Sequence, residues 1–175
     1  MKSELKIKQD RYKSRSLEKL SFKRECKIND YLHKSSRFLI NYCLKYNINT
    51  IIIGYNKSWK QNIKLGDKNN QNFVSIPFYK LIEMIKYKSE MVGLNVILNE
   101  ESYTSKCSFL DLETITKHES YLGERIKRGL FKSSKGILIN ADVNASYNIM
   151  RKVVPNLFNK DGIEGVSAHP VKINF

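Results

Sequence analysis

The chain has 175 residues and a hydrophobic content of 41%, which is enough for a core. None of its apolar runs approaches the roughly 18 residues of a membrane-spanning helix. The 31 lysine and arginine residues exceed the 17 acidic ones, which gives a formal net charge of +14. Such an excess favours nucleic acid as a partner, because cationic side chains neutralise phosphates and release their counterions. The alternative is that the surface lysines serve only solubility.

The N-terminus and the cysteines indicate the cellular compartment. The first residues carry charges and lack the apolar segment of a secretory signal. Cys26, Cys43 and Cys107 form no C-x-x-C pair, so they fit free thiols in a reducing compartment. We therefore expect a cytoplasmic protein that does not enter a membrane.

The N-terminal quarter is predicted to be helical. Residues 1–25 are strongly basic and predict a helix or helix pair, whose broad polar face contacts phosphates or is simply solvated. Residues 27–46 predict a second helix with one apolar face. That face comprises Ile28, Leu32, Ser35, Leu39, Cys43 and Tyr46. On its flank, His33 is interpreted as a surface or packed residue rather than a metal ligand.

A buried type of strand and a long polar segment follow. Residues 50–53, Thr-Ile-Ile-Ile, are β-branched and uninterrupted, as in parallel strands. Residues 54–73 are too long and polar for an ordinary connection, which favours a functional loop. Its lysines suit phosphates, and Tyr55 and Trp59 suit stacking on bases. Alternatively, it is a surface loop with Trp59 anchored in the core.

The next segments predict a βαβ unit. Pro77 is tolerated in the first turn of a helix, and Gly93 ends that helix. Residues 94–98, Leu-Asn-Val-Ile-Leu, predict a second strand. A strand, a helix and a strand in this order are expected to form a right-handed parallel unit. The carboxyl ends of both strands then lie at one edge, where ligands bind.

Acidic residues at this edge form the candidate site. Glu100 and Glu101 follow the second strand, and Asp142 precedes the last helical pattern. Carboxylates that meet there can share Mg²⁺, and two such ions can clamp a phosphodiester displacement. Asn144 and Asn148 stand one turn apart behind Asp142. The alternative role of Asp142 is to cap the helix.

The remaining segments are less regular. Residues 108–131 form a charged connection, and the cationic cluster over 125–132 predicts either a clamp on a nucleic-acid backbone or a solvated hairpin. Cys107 and His118 cannot make a structural zinc site by themselves, since such a site needs four ligands. We predict a basic helical segment over 1–48, a nuclease-like core over 49–154 and an irregular tail over 155–175.

The ordered motifs resemble those of the C-terminal part of transposon-encoded OrfB/TnpB-type proteins, which are relatives of type V CRISPR nucleases. The resemblance covers nearly the whole chain. It is carried by Lys23–Lys34, Ile53–Lys57, Trp59–Gln61, Asn70–Pro77, Glu100–Lys106, Arg125–Leu130 and Asn140–Asn144.

The resemblance implies an α/β, RNase H-like (RuvC-type) fold. It also implies Mg²⁺-dependent cleavage of DNA that is guided by a transposon-derived RNA, with the guide–target heteroduplex held through its backbone and shape. Guide RNA and target DNA are then the partners. The residues expected to contact these nucleic acids are Lys57, Trp59, Lys60, Asn72, Lys106, Arg125, Lys127 and Arg128.

Within the resemblance, Asp142 matches the last catalytic carboxylate of the family. The family usually has a catalytic glutamate where this chain has Gly54. Glu101, with Glu100 as second choice, replaces it from the neighbouring strand, because adjacent strands lie only about 4.8 Å apart. Glu101 and Asp142 are the expected metal ligands.

Two further departures concern larger pieces of the family pattern. The usual four-cysteine zinc ribbon retains only Cys107, so no zinc is expected. We expect the first strands of the fold, with the first catalytic aspartate, to be missing, which would leave an open apolar sheet edge. We therefore expect a C-terminal part of such a nuclease, from a truncated gene or a split one whose other half is a separate polypeptide.

Two other functional classes stay open. A nuclease-inactive relative would bind guide RNA or DNA as a regulator or a passive remnant. An unrelated basic RNA-binding protein would fit the charge but would leave the ordered motif series unexplained.

Overall fold

The computed structural model describes residues 14–56, 77–158 and 166–174. The chain divides into two units by its internal contacts. The first contains Met1–Asn47, Pro77–Val92 and Phe175, and the second contains Ile48–Ile76 and Gly93–Asn174. Residues 77–92 therefore group with the N-terminal segment, although the sequence-based segments placed them with 49–154.

The first unit is a pair of packed helices. α1 (Arg15–Lys45) begins at Ser14, whose side chain accepts a hydrogen bond from the Leu17 amide at 3.3 Å. The predicted division into a basic helical segment up to about residue 25 and a separate helix over 27–46 is wrong, because α1 runs through this point without a break. Residues 18–27 contain no glycine or proline to interrupt a helix.

The face that α1 buries is shifted slightly from the predicted one. Leu32, Ser36, Ile40 and Cys43 are buried at spacings of four, four and three residues. Leu32 and Cys43 were predicted correctly, whereas Tyr46 is 54% exposed. His33 is on the surface, as predicted.

α2 (Phe78–Glu90) packs against α1 and contributes a buried lysine to the contact. Lys88 is only 4% exposed. Its Nζ donates to the His33 carbonyl at 2.9 Å and to Ser36 Oγ at 2.6 Å. Since buried cations are costly unless they are hydrogen-bonded, these two acceptors hold the lysine in the helix interface.

The second unit contains two small sheets and a helix. β1 (Thr50–Gly54) and β2 (Asn95–Asn99) are parallel, which confirms the predicted pairing and the mixed α/β class. β3 (Glu124–Lys127), β4 (Leu130–Lys132) and β5 (Leu138–Asn140) form an antiparallel sheet. α3 (Ala141–Val153) follows β5 directly and contacts strands of both sheets.

The core of the second unit lies where α3 meets the antiparallel sheet. It comprises Phe109, Phe131, Ile139 and Ala141, none of which is more than 2% exposed. Tyr147 stacks on Phe109 with ring centroids 4.5 Å apart. This core fixes the first turn of α3, because Ala141 belongs to both the helix and the core.

The C-terminal segment has no helix or strand in its described parts, 154–158 and 166–174. It still contributes to the second unit, because the Ala168 carbonyl accepts a hydrogen bond from the Asn140 amide at 2.9 Å. Within the described ranges, no helix combines the length and the apolar character needed to cross a bilayer.

Substitution of Lys88 tests the energetic role of the buried lysine. Burial lowers the pKa of Lys88, and the nearby Arg37 lowers it further. The folded state therefore disfavours the charged form, and stability should rise as the pH increases toward the ordinary value of 10.5. We expect Lys88→Met to leave the free energy of unfolding at pH 7 unchanged or to increase it by about 1 kcal/mol. The substitution should also abolish the increase of stability with pH.

Urea unfolding followed by far-UV circular dichroism measures both effects. Ser36 Oγ keeps the Leu32 carbonyl as its acceptor at 2.7 Å, so the substitution leaves no orphaned hydroxyl. Lys86→Met is the control, since Lys86 lies on the same helix in an exposed ion pair with Glu83. A loss of more than about 2 kcal/mol in Lys88→Met would contradict the prediction.

Candidate functional site

The carboxyl ends of β1 and β2 coincide. Their parallel register pairs Ile53 with Leu98 and Gly54 with Asn99. The Tyr55 amide extends the ladder by donating to the Asn99 carbonyl at 2.8 Å. The residues that follow β2, including Glu101, therefore start beside the end of β1, as the sequence predicted.

Glu101 and α3 share the space that a side chain at residue 54 would take. A Cβ added to Gly54 would lie 2.9 Å from Oε2 of Glu101 and 2.5 Å from Cδ1 of Ile149. Both distances are shorter than van der Waals contact, so a side chain at residue 54 would have to displace the ends of these two side chains. The carboxylate of Glu101 thus lies beside residue 54, the position at which the resemblance expects a glutamate.

The surroundings of Glu101 disfavour its charge. Burial raises the pKa of Glu101, the negative charge of Glu100 raises it further, and Lys152 lowers it in part. A carboxylate in this position gains from a nearby cation, because a positive charge would offset the desolvation.

Glu100 is engaged in local contacts. One carboxylate oxygen accepts hydrogen bonds from the amide and the hydroxyl of Ser102. The other accepts from Lys152 Nζ at 3.0 Å, and Lys152 also binds the Ser102 carbonyl. Glu100 therefore fixes the turn after β2, which favours Glu101 as the residue available to a ligand.

Asp142 lies in the first turn of α3 and does not cap it. The N-cap is Asn140, whose Oδ1 accepts from the amides of Asp142 and Val143 at 2.9 and 3.2 Å. The carboxylate of Asp142 is exposed. Ile149, which lies against Gly54, is seven residues later, or about 10 Å along the helix axis.

The described residues do not complete a metal site by themselves. Within 14–56, 77–158 and 166–174, no three His, Cys, Asp or Glu side chains cluster closely enough to hold a metal ion. The structure brings Glu100 and Glu101 to the strand edge and Asp142 to the start of α3. A Mg²⁺ site built on Glu101 and Asp142 would need additional ligands.

Three polar residues of α3 hold the loop that follows β2. They lie at spacings of four and three residues, on one face of the helix: Asn144, Asn148 and Arg151. Asn144 Oδ1 accepts from the Phe109 amide at 2.9 Å, and its Nδ2 donates to the Cys107 carbonyl at 2.9 Å. Both Asn144 and Asn148, which were placed one turn apart behind Asp142, are fully buried.

Asn148 and Arg151 extend this contact. Asn148 Nδ2 donates to the carbonyls of Thr104 and Cys107 at 3.0 and 2.8 Å. Arg151 donates to the carbonyls of Leu112 and Glu113 at 3.0 and 3.1 Å. The i, i+4, i+7 spacing of polar residues was visible in the sequence, but nothing in it identified a backbone as their partner.

Carboxylates organise the rest of this loop. Asp111 accepts from Ser108 Oγ at 2.5 Å and from the Ser134 amide at 2.9 Å. Burial alone would raise the pKa of Asp111, but these hydrogen bonds outweigh it and lower the pKa. Glu113 accepts from the amides of Ser108 and Leu122 at 2.7 and 3.0 Å.

Cys107 lies inside the same loop as a free, fully buried thiol. Its Sγ contacts the carbonyls of Thr114 and Thr116 at 3.4 and 3.7 Å. Burial raises the pKa of the Cys107 thiol, and the charge of Glu113 raises it further. The neutral thiol that results is a poor metal ligand, since metals bind the thiolate.

The residues predicted to contact nucleic acid fall into two groups. Lys57, Trp59, Lys60 and Asn72 lie outside the described residues. The side chains of Lys106, Arg125, Lys127 and Arg128 are exposed. The last three belong to the hairpin of β3 and β4, whose two-residue turn ends at Gly129 with a φ of 77°. This hairpin was one of the two predicted interpretations of the cluster.

A cavity of about 400 Å³ opens at the strand edge. It is lined by Tyr55, Asn56, Leu98, Asn99 and Glu100. Within the described part of the chain, the buried Asn99 Nδ2 has no hydrogen-bond partner. An unsatisfied buried donor is costly, so this amide is suited to a polar group of a bound molecule.

A family model and a curated protein are both similar to this chain. The family described as "Cas12f1-like, TNB domain" matches residues 78–149. The TnpB-like protein MJ0751 of Methanocaldococcus jannaschii is 29% identical over 137 residues, which are 78% of this chain and 46% of that protein.

A solved structure is similar as well. A chain in the cryo-EM structure of the Cas12f1–sgRNA–target DNA complex matches with a TM-score of 0.60 and 20% identity. The match covers 77% of this chain and 36% of that one. The chain thus spans less than half the length of either relative.

Substitution of Asn144 tests how α3 holds the loop. Asn144→Ala leaves the buried Phe109 amide without its acceptor, which we expect to cost about 2 kcal/mol. Hydrogen exchange measured by mass spectrometry should then show faster exchange over residues 104–113. Ser146→Ala is the control, because Ser146 is exposed on the same helix and bonds only within it. Equal protection of the loop in both variants would contradict the role assigned to Asn144.

Proposed function

Because the chain is a relative of TnpB-like and Cas12f1-like proteins, we propose that it is the RuvC-like part of a TnpB-type, transposon-associated RNA-guided DNA endonuclease. The observation that carries the proposal is the position of Glu101. Its carboxylate lies at the end of a parallel strand pair, beside Gly54, which Ile149 of the helix that carries Asp142 also approaches. An RNase H-like arrangement of the sheet is part of the proposal.

Guide RNA and target DNA are the proposed partners. The net charge of +14 supports a polyanion as ligand. The exposed cationic side chains Lys106, Arg125, Lys127 and Arg128 offer contacts to phosphates, and the similar Cas12f1 chain is in a complex with sgRNA and target DNA. Contacts to phosphates position the protein without reading sequence.

Magnesium is the proposed cofactor. Glu101 and Asp142 would each supply a carboxylate ligand, and oxygen donors of this kind are the ones that Mg²⁺ prefers. When bound, a pair of such ions activates the attacking water and stabilises the leaving oxygen. Since the described residues bring no three ligands together, the remaining carboxylates must come from other residues of the complete protein.

A second polypeptide is one proposed source of these ligands. In the described part of the chain, β1 pairs only with β2, and Ile51, Ile52 and Ile53 are all half-buried. An unpaired, apolar edge favours addition of another strand. A strand added parallel to β1 would bring its own carboxyl end to the same edge as Glu101.

Binding of nucleic acid without cleavage is the second candidate function. It is favoured by the incomplete set of metal ligands among the described residues. In this function the hairpin of β3 and β4 still contacts nucleic acid, and Glu101 and Asp142 are not required.

A nicking assay separates the two functions. With Mg²⁺, we expect no cleavage of a supercoiled plasmid by this chain alone. Cleavage that EDTA abolishes and that Asp142→Ala removes would prove this expectation wrong. Added together with a guide RNA that matches the plasmid, the N-terminal half of the M. jannaschii relative, as a second polypeptide, is expected to produce Mg²⁺-dependent cleavage.

In that reconstituted reaction, Glu101→Gln and Asp142→Asn should each lower the cleavage rate by at least about 100-fold. Glu119→Gln is the matched control, because Glu119 is exposed and lies away from the strand edge in the loop before β3. If reconstitution gives binding but no cleavage, the endonuclease proposal fails and the binding function replaces it.

A further inference from the structure

A second cavity lies away from the strand edge, between the loop after β2 and the β3–β4 hairpin. It has a volume of about 330 Å³ and is lined by Ser105, Lys106, Tyr121, Gly123, Arg125 and Phe131. This volume is at the lower end of the range for small-molecule sites. It has room for one planar ring system rather than for a base pair.

The walls of this cavity combine aromatic and cationic groups. Phe131 is 2% exposed and forms part of the core, so it gives the cavity a rigid apolar wall. Arg125 is paired with Phe131 across the hairpin, which puts both side chains on one face. Lys106 Nζ lies 5.9 Å from the ring centroid of Tyr121.

Tyr121 is held in place by its neighbours. Its ring meets the His118 ring edge-on with centroids 5.4 Å apart, and its hydroxyl accepts from the His118 amide at 3.5 Å. A ring that is already fixed loses little conformational entropy when a base stacks on it. Tyr121 is therefore suited to act as a stacking surface.

Gly123 keeps the cavity open. A Cβ at this position would lie 2.5 Å from Cε1 of Phe131 and 2.8 Å from the Lys132 carbonyl oxygen. Any side chain here would push into Phe131 and displace that wall. The chain thus passes close to Phe131 without filling the space beside it.

The two cationic groups are available to a ligand. Among the residues that the structure describes, neither Lys106 nor Arg125 forms an ion pair. Lysine and arginine without a carboxylate partner bind phosphate readily. An apolar cavity flanked by two such cations matches the chemistry of a nucleotide.

We propose that this cavity holds one unstacked nucleotide of a single strand, with its base against Tyr121 and Phe131 and its phosphate at Lys106 and Arg125. The inference rests on the proposed nucleic-acid function and specifies single strands as the ligand at this place. A base within a duplex would first have to leave its stack, which costs a few kcal/mol. A single strand therefore binds here in preference to a duplex.

Fluorescence anisotropy with the full chain, in EDTA, tests the pocket without any cleavage. The probes are labelled dT12 and a 12-residue abasic strand of equal charge. The base should make dT12 bind at least about 5-fold more tightly than the abasic strand. Equal affinity for the two strands would overturn the proposal, whatever the nicking assay shows.

Substitutions show which residues cause the preference for dT12 over the abasic strand. Tyr121→Leu should remove the preference for dT12, whereas Tyr121→Phe should retain it, and thermal melting checks that both variants fold. Lys106→Gln and Arg125→Gln should weaken both strands and lower the slope of log affinity against log salt by about 0.7 each. Lys172→Gln is the control, because it removes an exposed charge that does not line the cavity.

Two competitors complete the test. Free dTMP at the concentration of the strand should not displace dT12; displacement would overturn the assignment to a strand in favour of a free mononucleotide. A duplex of the same length should compete less well than unlabelled dT12. A preference for dT12 that survives in Tyr121→Leu would overturn the pocket as its cause.

Discussion

The close packing around Gly54 is the constraint on which the candidate site depends. The carboxylate of Glu101, which follows β2, and the side chain of Ile149 from α3 both approach the end of β1, where a Cβ on residue 54 would lie 2.9 Å from the first and 2.5 Å from the second. The same contact fixes where α3 lies along the strand pair. The position of Asp142 then follows from the helix geometry, two turns before Ile149.

The two faces of α3 make different contacts. One face carries Ile149, which lies against Gly54, and Asp142, which is exposed at the first turn. The other face carries Asn144, Asn148 and Arg151, which bind backbone carbonyls and an amide of the loop over 104–113. One helix thereby connects the strand edge, the loop and the cavity whose wall includes Lys106.

Much of this could be predicted from the sequence. Uninterrupted β-branched residues predicted β1, and the order of the motifs led to the family of relatives. The exposed position of Arg125, Lys127 and Arg128 also follows from their charge. The expectation that Glu101 replaces a glutamate at residue 54 came from the resemblance and from strand spacing together, and it stays a prediction.

The remaining features could not be predicted from the sequence and are visible only in the structure. The continuation of α1 past residue 26 was missed, although residues 18–27 contain no glycine or proline, because the thin apolar stripe before residue 25 differs from the broader one after it. The N-cap role of Asn140 instead of Asp142 depends on a shift of two residues, which is within the uncertainty of predicted helix ends. The loop contacts of Asn144 and the cavity at Tyr121 join residues more than 15 positions apart, beyond the reach of a periodicity argument.

The close contact at Gly54 can be measured directly with a double-mutant cycle. Gly54→Ala should destabilise the chain, and Ile149→Val removes the Cδ1 atom that the new Cβ would meet at 2.5 Å. The cost of Gly54→Ala, measured by urea unfolding, should therefore be smaller in Ile149→Val than in the wild type, by at least about 0.5 kcal/mol. Additive costs would contradict the account, because they would mean that α3 does not pack against the end of β1.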